Sequence, residues 1–387
     1  MSVKYNVYKK QSPNGKLIAY ISRRDIMDDL ETVDSVDGVI TLDPSYVKER
    51  KVFARIMCSF RYGQEDLDNI MNGVVFKKEF YITTDQIYPM VKKAAPNTII
   101  QDRLLERFGQ DAFPFRFETP HDIPASVFLQ NAPGDSNQQP CGIEYHLLIF
   151  LGDSPSSEPQ KQSCVSIQLR RLTIAVPGPL TKPYTKEMRK VFHIHSGQLK
   201  IEVTLPKEIF FHGELIPLSV VIDNVSSNTV RRIKFQIIQH TEVTIFRPFT
   251  QNLVILSDES EDGFPIEAGK SGWCHTYKIK PSMQDCRSMT GVALDGKSKH
   301  QDTNLATSTL IKDFRKKDAM GIIVQYLIKV KVVTGFGGRD IEMDIPFILT
   351  HPRTDQMKAD LGDEMVIERF KRAKVLLSSS VDKAENL

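Results

Sequence analysis

The sequence predicts an all-β protein of the sandwich class, on three observations. Short segments alternating apolar and polar residues recur in both halves, punctuated by turn signals at Pro13-Asn14-Gly15, Asp43-Pro44 and Pro133-Gly134. Near the middle, Val176-Pro177-Gly178-Pro179-Leu180-Thr181-Lys182-Pro183 has the proline and glycine content of a domain linker. A length of 387 residues leaves room for two or three domains with sizeable cores.

Composition narrows the class further. With 41% hydrophobic and 26% charged residues the chain reads as a soluble globular protein, and no run approaches a membrane span. Met1-Ser2-Val3-Lys4-Tyr5 lacks the apolar core of a signal peptide, and five scattered cysteines suit free thiols, so the cytosol is the expected compartment. The net charge of +3 is small, but the first 24 residues hold Lys4, Lys9, Lys10, Lys16, Arg23 and Arg24 and no acid. Lysines of that kind either guard an edge strand or form an anion-binding face. Nucleic acid is not expected, because no stacking aromatics interleave these charges.

In chain order, Val52 to Tyr62 is a strand with apolar even positions and Arg55, Ser59 and Arg61 among the odd ones. An acidic loop follows, Gln64-Glu65-Asp66-Leu67-Asp68-Asn69-Ile70-Met71-Asn72, with apolar residues near its tip. One helix is expected: Thr98 with Gln101 makes a capping box and Gly109 a stop. Its Ile100, Leu104, Leu105 and Phe108 fall on one arc. Tyr145 to Leu151 reads as a buried strand. From Val165 to Val176 the apolar parity flips midway, from Val165, Ile167 and Leu169 to Leu172, Ile174 and Val176. Arg170 stands at the flip and shares the parity of the second set. An arginine facing a core edge needs a carboxylate, since an unpaired buried charge is prohibitively costly.

Beyond the linker, strands resume at Leu199 to Leu205, Ile216 to Ile222 and Val230 to Ile238. The basic residues Arg231, Arg232 and Lys234 of the last are read as a solvated face or as an inositol-phosphate site. Met289 to Leu305 is a long irregular segment that turns at Asp295-Gly296 and sets Lys297, Lys299 and His300 between Asp295 and Asp302. It is either plain solvated surface or, through its carboxylates, a partner for Arg170; Asp25 is a further candidate. Ile322 to Val333 and Ile341 to Leu349 flank a glycine-rich loop whose Phe336 either folds back or touches a membrane interface. After His351-Pro352-Arg353 and a polar stretch comes Met365-Val366-Ile367-Glu368-Arg369-Phe370-Lys371-Arg372, an apolar segment that must dock or fray.

Nothing here reads as an enzyme. His193-x-His195 lacks a third ligand at suitable spacing, Cys274-His275 and Cys286 are no better, and no nucleophile, metal or cofactor motif is present. No metal and no obligatory cofactor are expected.

Several of these stretches carry a resemblance. Val292-Ala293-Leu294-Asp295-Gly296-Lys297 with His300-Gln301-Asp302-Thr303-Asn304-Leu305 resembles the gate loop of arrestins. Val36-Asp37-Gly38-Val39, Phe60-Arg61-Tyr62-Gly63-Gln64-Glu65-Asp66, Phe211-His212-Gly213-Glu214 and Ile345-Pro346-Phe347 match the same family in the same order. The resemblance runs from about Val7 to about Arg372.

It implies two seven-stranded-type β-sandwich domains, residues 1–176 and 185–350, joined by a hinge at 177–184, with a tail at 351–387 docking back on the first. It implies an adaptor for active, phosphorylated G-protein-coupled receptors, cytoplasmic and recruited to the membrane. By the same resemblance Asp25, Arg170, Asp295, Asp302 and Arg372 form a polar switch, and Lys9, Lys10, Lys297 and Lys299 receive phosphates. Val7, Tyr8, Ile100, Leu104, Phe108, Met365, Ile367 and Phe370 latch the tail, while Gln64, Glu65, Asp66, Leu67, Asp68, Ile70 and Met71 form a receptor-entering finger loop. Inositol phosphate or phosphoinositide would be a regulatory ligand. The incomplete Ile367-x-x-Phe370 motif and the lack of an acidic-ended Leu-rich box after Thr350 lean toward a visual arrestin for rhodopsin, with an endocytic, β-arrestin-like adaptor as the alternative.

Overall fold

The computed structural model describes residues 4–62, 76–91, 96–130, 141–178, 182–192, 197–245, 248–286, 288–296, 304–311, 313–335, 340–352 and 364–369. The first half of the chain builds two sheets. One has five strands, in the order Glu364–Arg369, Lys4–Gln11, Leu17–Ile21, Val36–Leu42 and Ala112–Phe117. The other has seven: Ala293–Asp295, Val127–Leu129, Cys141–Gly152, Val165–Thr173 and Asp25–Asp28 in order, with Lys51–Tyr62 pairing off Cys141–Gly152 and Phe76–Tyr88 pairing in turn with Lys51–Tyr62.

The second half builds a four-stranded sheet (Tyr184–Val191, Gly197–Leu205, Ile216–Ser226, Trp273–Ile279). Its partner has five strands, Ile209–Phe211, Ile341–Thr350, Ile322–Thr334, Val230–Val243 and Phe249–Ser260. Each half is a β-sandwich. Two strands break the division: Ala293–Asp295 comes from the second half of the sequence, and Glu364–Arg369 comes from beyond it, yet both complete sheets of the first.

Alternation in sequence becomes alternation in burial. Along Ile216–Ser226 every second residue from Ile216 to Ile222 is buried, and the same inward row continues in Leu199, Ile201, Val203 and Leu205. Burying each such Leu, Ile or Phe side chain stabilises by about 1.5–3 kcal/mol. Inward rows of both sandwiches merge into a single buried cluster.

The parity flip in Val165–Thr173 has a plain cause. Val165–Leu169 pairs antiparallel with Tyr145–Ile149, whereas Arg170–Thr173 pairs parallel with Asp25–Asp28. The strand changes neighbours at Arg170, and both of its faces are covered there, so every residue from Leu169 to Thr173 is buried.

The helix spans Ile99–Phe108 and carries the expected capping box between Thr98 and Gln101, closed by Gly109 at φ 69°. Gln101 does more than cap. It is buried, and its amide donates to the carbonyls of Gly38 (3.0 Å) and Phe115 (2.8 Å). A Cβ at Gly38 would lie 2.2 Å from the Tyr20 carbonyl and 2.9 Å from the Phe115 ring, so this strand admits only glycine there. Thr98 Oγ1 and Ser22 Oγ donate to the two carboxylate oxygens of buried Asp37, at 2.9 and 2.7 Å. The helix is thereby fixed over the Val36–Leu42 and Ala112–Phe117 strands of the five-stranded sheet, two strands away from the tail.

Candidate functional site

Where the two sandwiches meet, charged side chains are taken out of water. Arg170 is 6% exposed. Its Nε donates to Asp25 Oδ1 (2.9 Å) and its Nη2 to Asp25 Oδ2 (2.7 Å), a bidentate pair set up by the parallel register that places the two residues opposite each other. The Arg170 backbone N–H also donates to the Arg24 carbonyl at 3.0 Å.

Asp295, the other acid expected at Arg170, makes its contacts with Thr307, His351 and His212. Ala293–Asp295 is held by both sandwiches. It pairs with Val127–Leu129 of the first, while Gln239 of the second donates to the Ala293 carbonyl (2.9 Å) and accepts from the Ala293 N–H (2.7 Å). The Asp295 carboxylate, 1% exposed as a residue, accepts from the Thr307 N–H at 2.9 Å and the Thr307 hydroxyl at 3.3 Å. His351 Nε2 lies 2.5 Å from Asp295 Oδ2, and His212 Nε2 lies 3.9 Å from the same oxygen. The imidazoles of His212 and His351 sit 4.4 Å apart, centre to centre. Burial pushes His212 down to about 4, with the charges of His351 and Arg170 adding to the effect and Asp295 opposing it. The positive charge of Arg170 thus bears on His212.

Spacing in the sequence did not reveal these histidines or a second arginine. Arg171 is fully buried, and its Nη2 donates to Asp28 Oδ2 and to the Pro120 carbonyl, both at 2.6 Å, while Nη1 reaches Thr119 Oγ1 at 3.0 Å. The signal was present: Arg171 continues the odd-numbered apolar set Val165, Ile167 and Leu169. Both arginines face covered surfaces, where only Arg170 was expected to. Arg170 has a half-exposed acid as partner, while Arg171 has a buried one, 31% against 2% side-chain exposure.

A separate contact holds the tail. Glu364–Arg369 pairs parallel with the first strand, Lys4 opposite Glu364 through to Lys9 opposite Arg369, and forms the edge of the five-stranded sheet. Val7, Tyr20, Val39, Leu104 and Ala112 are buried together as a small cluster, against which Ile18, Ile100, Leu105, Phe108, Met365 and Ile367 pack. Tyr20 and Phe108 stack at 4.5 Å. Tail, first strand and helix share one apolar patch separate from the main core. Tyr8 belongs to the other side of the strand and packs on the main core, under the Arg24 guanidinium 5.5 Å from its ring.

The family described as "Arrestin (or S-antigen), N-terminal domain" matches residues 19–171, and "Arrestin (or S-antigen), C-terminal domain" matches 195–354. The chain belongs to the arrestin family. An "Arrestin homolog" of Heliothis virescens is 37% identical over 385 residues, covering 99% of this chain and all of that protein. "Beta-arrestin-2" of Homo sapiens is 39% identical over 348 residues, 90% of this chain and 83% of its own length. "Arrestin red cell isoform 2" of Oncorhynchus mykiss is 38% identical over 352 residues, 91% and 85%. As an arrestin, the chain is a non-enzymatic receptor adaptor. Among the described residues no helix is long and apolar enough to cross a membrane.

The other residues expected to act in this arrestin are placed unevenly. Lys9 and Lys10 are half-buried on the first strand, the Lys9 ammonium 5.6 Å from the Tyr20 ring centre. Arg232 pairs with Glu259 (2.8 Å) and Glu261 (3.8 Å), and Lys234 with Glu259 (2.6 Å). An inositol phosphate at Arg231, Arg232 and Lys234 would thus have to displace two carboxylates. Asp302, Arg372, Lys297, Lys299, Phe370, Phe336, the finger-loop residues Gln64 to Met71, and His193-x-His195 lie outside the described residues.

Proposed function

We propose that this arrestin rests in a basal state held by two locks, the Arg170–Asp25 pair and the docked 364–369 strand, and that phosphates on an active G-protein-coupled receptor release both. The observation that carries the reading is the burial of Arg170 in a bidentate pair at the junction of the sandwiches. Each receptor phosphate brings about −1.5 to −2 charges at neutral pH. Lys9 and Lys10, on the strand that the tail covers, and Lys297 and Lys299, on the gate loop, receive them. The tail is displaced and the gate loop, with Asp295, is drawn away from Arg170. The finger loop then enters the receptor's cytoplasmic crevice and excludes the G protein.

The receptor we infer is light-activated rhodopsin. Ile367 where endocytic arrestins carry the first phenylalanine of a Phe-x-x-Phe motif supports this choice. Phe336 then contributes a peripheral membrane contact. A second reading, an adaptor that links other receptors to endocytosis, is favoured by the 39% identity with human Beta-arrestin-2. Co-sedimentation with photoreceptor membranes, dark and illuminated, phosphorylated and not, separates them. Binding that needs both light and phosphate supports rhodopsin. Equal binding to an unrelated phosphorylated receptor, with capture of an endocytic adaptor, supports the second reading.

A further inference from the structure

We propose that His212, His351 and Asp295 form a divalent-metal site, of the kind that takes Zn²⁺, which clamps the root of the gate loop to the second sandwich. Three strands present the three ligands. Ile209–Phe211 runs parallel to Ile341–Thr350 with Phe211 opposite Thr350, and the next step of that register brings His212 beside His351. The His212 N–H donates to the Thr350 carbonyl at 3.0 Å and fixes the spacing. Asp295 ends the strand that completes the first sandwich's sheet, its carboxylate oriented by Thr307. The two imidazoles and the carboxylate offer ligand atoms that all lie within 4.8 Å of one another.

Two features point to an ion rather than to a hydrogen-bonded triad. His212 Nε2 is buried and makes no hydrogen bond, although it faces an anionic oxygen 3.9 Å away. A buried nitrogen left in that state is costly. Zinc–ligand distances of about 2.0–2.2 Å imply ligand–ligand edges of about 3.3 Å in a tetrahedron. The Asp295–His351 edge, now 2.5 Å, would open by less than about 1 Å and the Asp295–His212 edge, now 3.9 Å, would close by a similar amount. With the metal bound, His351 would carry its proton on Nδ1 and leave Nε2 to the ion, so both imidazoles bind as neutral ligands, and water completes the fourth position. The positive charge of nearby Arg170 opposes a cation, and its bidentate pairing with Asp25 offsets that opposition.

The test uses the full chain, stripped with chelator and titrated with Zn²⁺ alone by calorimetry. One saturable equivalent per chain is expected, with tetrahedral Co²⁺ absorption on cobalt substitution and zinc-edge X-ray absorption showing only nitrogen and oxygen neighbours. His212→Asn and His351→Gln should each lose that equivalent, while His193→Asn with His195→Asn, and Cys274→Ser with His275→Asn, should keep it. No saturable equivalent, sulfur in the metal's shell, or an equivalent that survives loss of both His212 and His351 would overturn the site. The X-ray absorption measurement needs no variant, so a misfolded substitution leaves the test intact. The clamp itself rests on the two-lock reading: Zn²⁺ should raise about tenfold the concentration of a multiply phosphorylated peptide needed to expose the tail. If zinc binds and that threshold does not move, the clamp is refuted. If the peptide never exposes the tail with or without zinc, the two-lock reading fails instead.

Discussion

Arg170→Glu is the sharpest perturbation of the basal state. The Arg170 side chain is 7% exposed and that of Asp25 31%, so the pair lies between the exposed and buried limits. Exposed pairs contribute about 0–1 kcal/mol, and truncating one partner of a buried pair costs about 3–5 kcal/mol. About 2–3 kcal/mol for loss of the guanidinium is a fair intermediate. A carboxylate in its place adds repulsion from Asp25, up to about 4 kcal/mol at 4 Å and an effective dielectric of 20 before the groups move apart or one protonates. A net shift of about 3–5 kcal/mol follows. Inverting a 99:1 equilibrium takes about 5.5 kcal/mol, and half of that brings it to parity. The variant should therefore bind active unphosphorylated receptor within a few-fold of its affinity for the phosphorylated form, measured by sedimentation with receptor membranes. Asp25→Arg combined with Arg170→Glu restores the pair with reversed polarity and should recover much of the phosphate dependence. A folded Arg170→Glu chain that still needs phosphate as the parent does would refute the reasoning.

Two further perturbations separate switching from folding. Arg171→Ala strands the fully buried Asp28 carboxylate, so it should lower unfolding stability by about 3–5 kcal/mol in denaturant titration while leaving phosphate dependence in place. Preactivation without loss of stability would mean that the two arginines have been assigned the wrong way round. Lys9→Ala with Lys10→Ala should weaken binding to phosphorylated receptor, reduce its salt dependence and leave the weak binding to unphosphorylated receptor alone. Unchanged affinity would return these lysines to guarding an edge strand.

Much of this molecule could be read from local pattern. Alternation placed the strands, the Thr98–Gln101 box placed the helix start, and the parity flip at Arg170 foretold a charged residue needing an acid. What escaped was decided at long range. His351 reaches Asp295 across 56 residues, and each histidine alone in a loop carries no spacing signal. Arg171 keeps the parity of the first apolar set, which alternation alone turns toward the core only as far as Leu169. Only the switch of strand partner, from Cys141–Gly152 on one side to Asp25–Asp28 on the other, makes both faces inward at that point. The charges of Arg232 and Lys234 looked available in sequence for a similar reason: their carboxylates lie on the adjacent strand, Phe249–Ser260, at Glu259 and just beyond it at Glu261.

The two locks are close enough to be coupled, and the coupling can be measured. The tail pairs with the first strand as far as Lys9. Tyr8 of that strand packs beneath Arg24, whose carbonyl holds the Arg170 N–H, and Asp25 follows directly. Losing the tail uncovers the edge of the strand carrying Tyr8 and loosens the seat of Arg24, which sets the register of Arg170 against Asp25. Contacting residues in one network show interaction energies of about 0.5–3 kcal/mol, whereas independent sites add to within about 0.5 kcal/mol. A double-mutant cycle therefore decides between one switch and two. Ile367→Ala weakens the tail's hold on the Leu104–Phe108 patch without touching any charge, and Arg170→Ala removes the pair without touching the tail. If the locks share Tyr8 and Arg24, the two substitutions together should shift protection of the Val7–Lys9 amides from hydrogen exchange by less than the sum of the single effects, because either alone already loosens the shared element. Strict additivity would mean that phosphate must open each lock separately, and the common-element account would be abandoned.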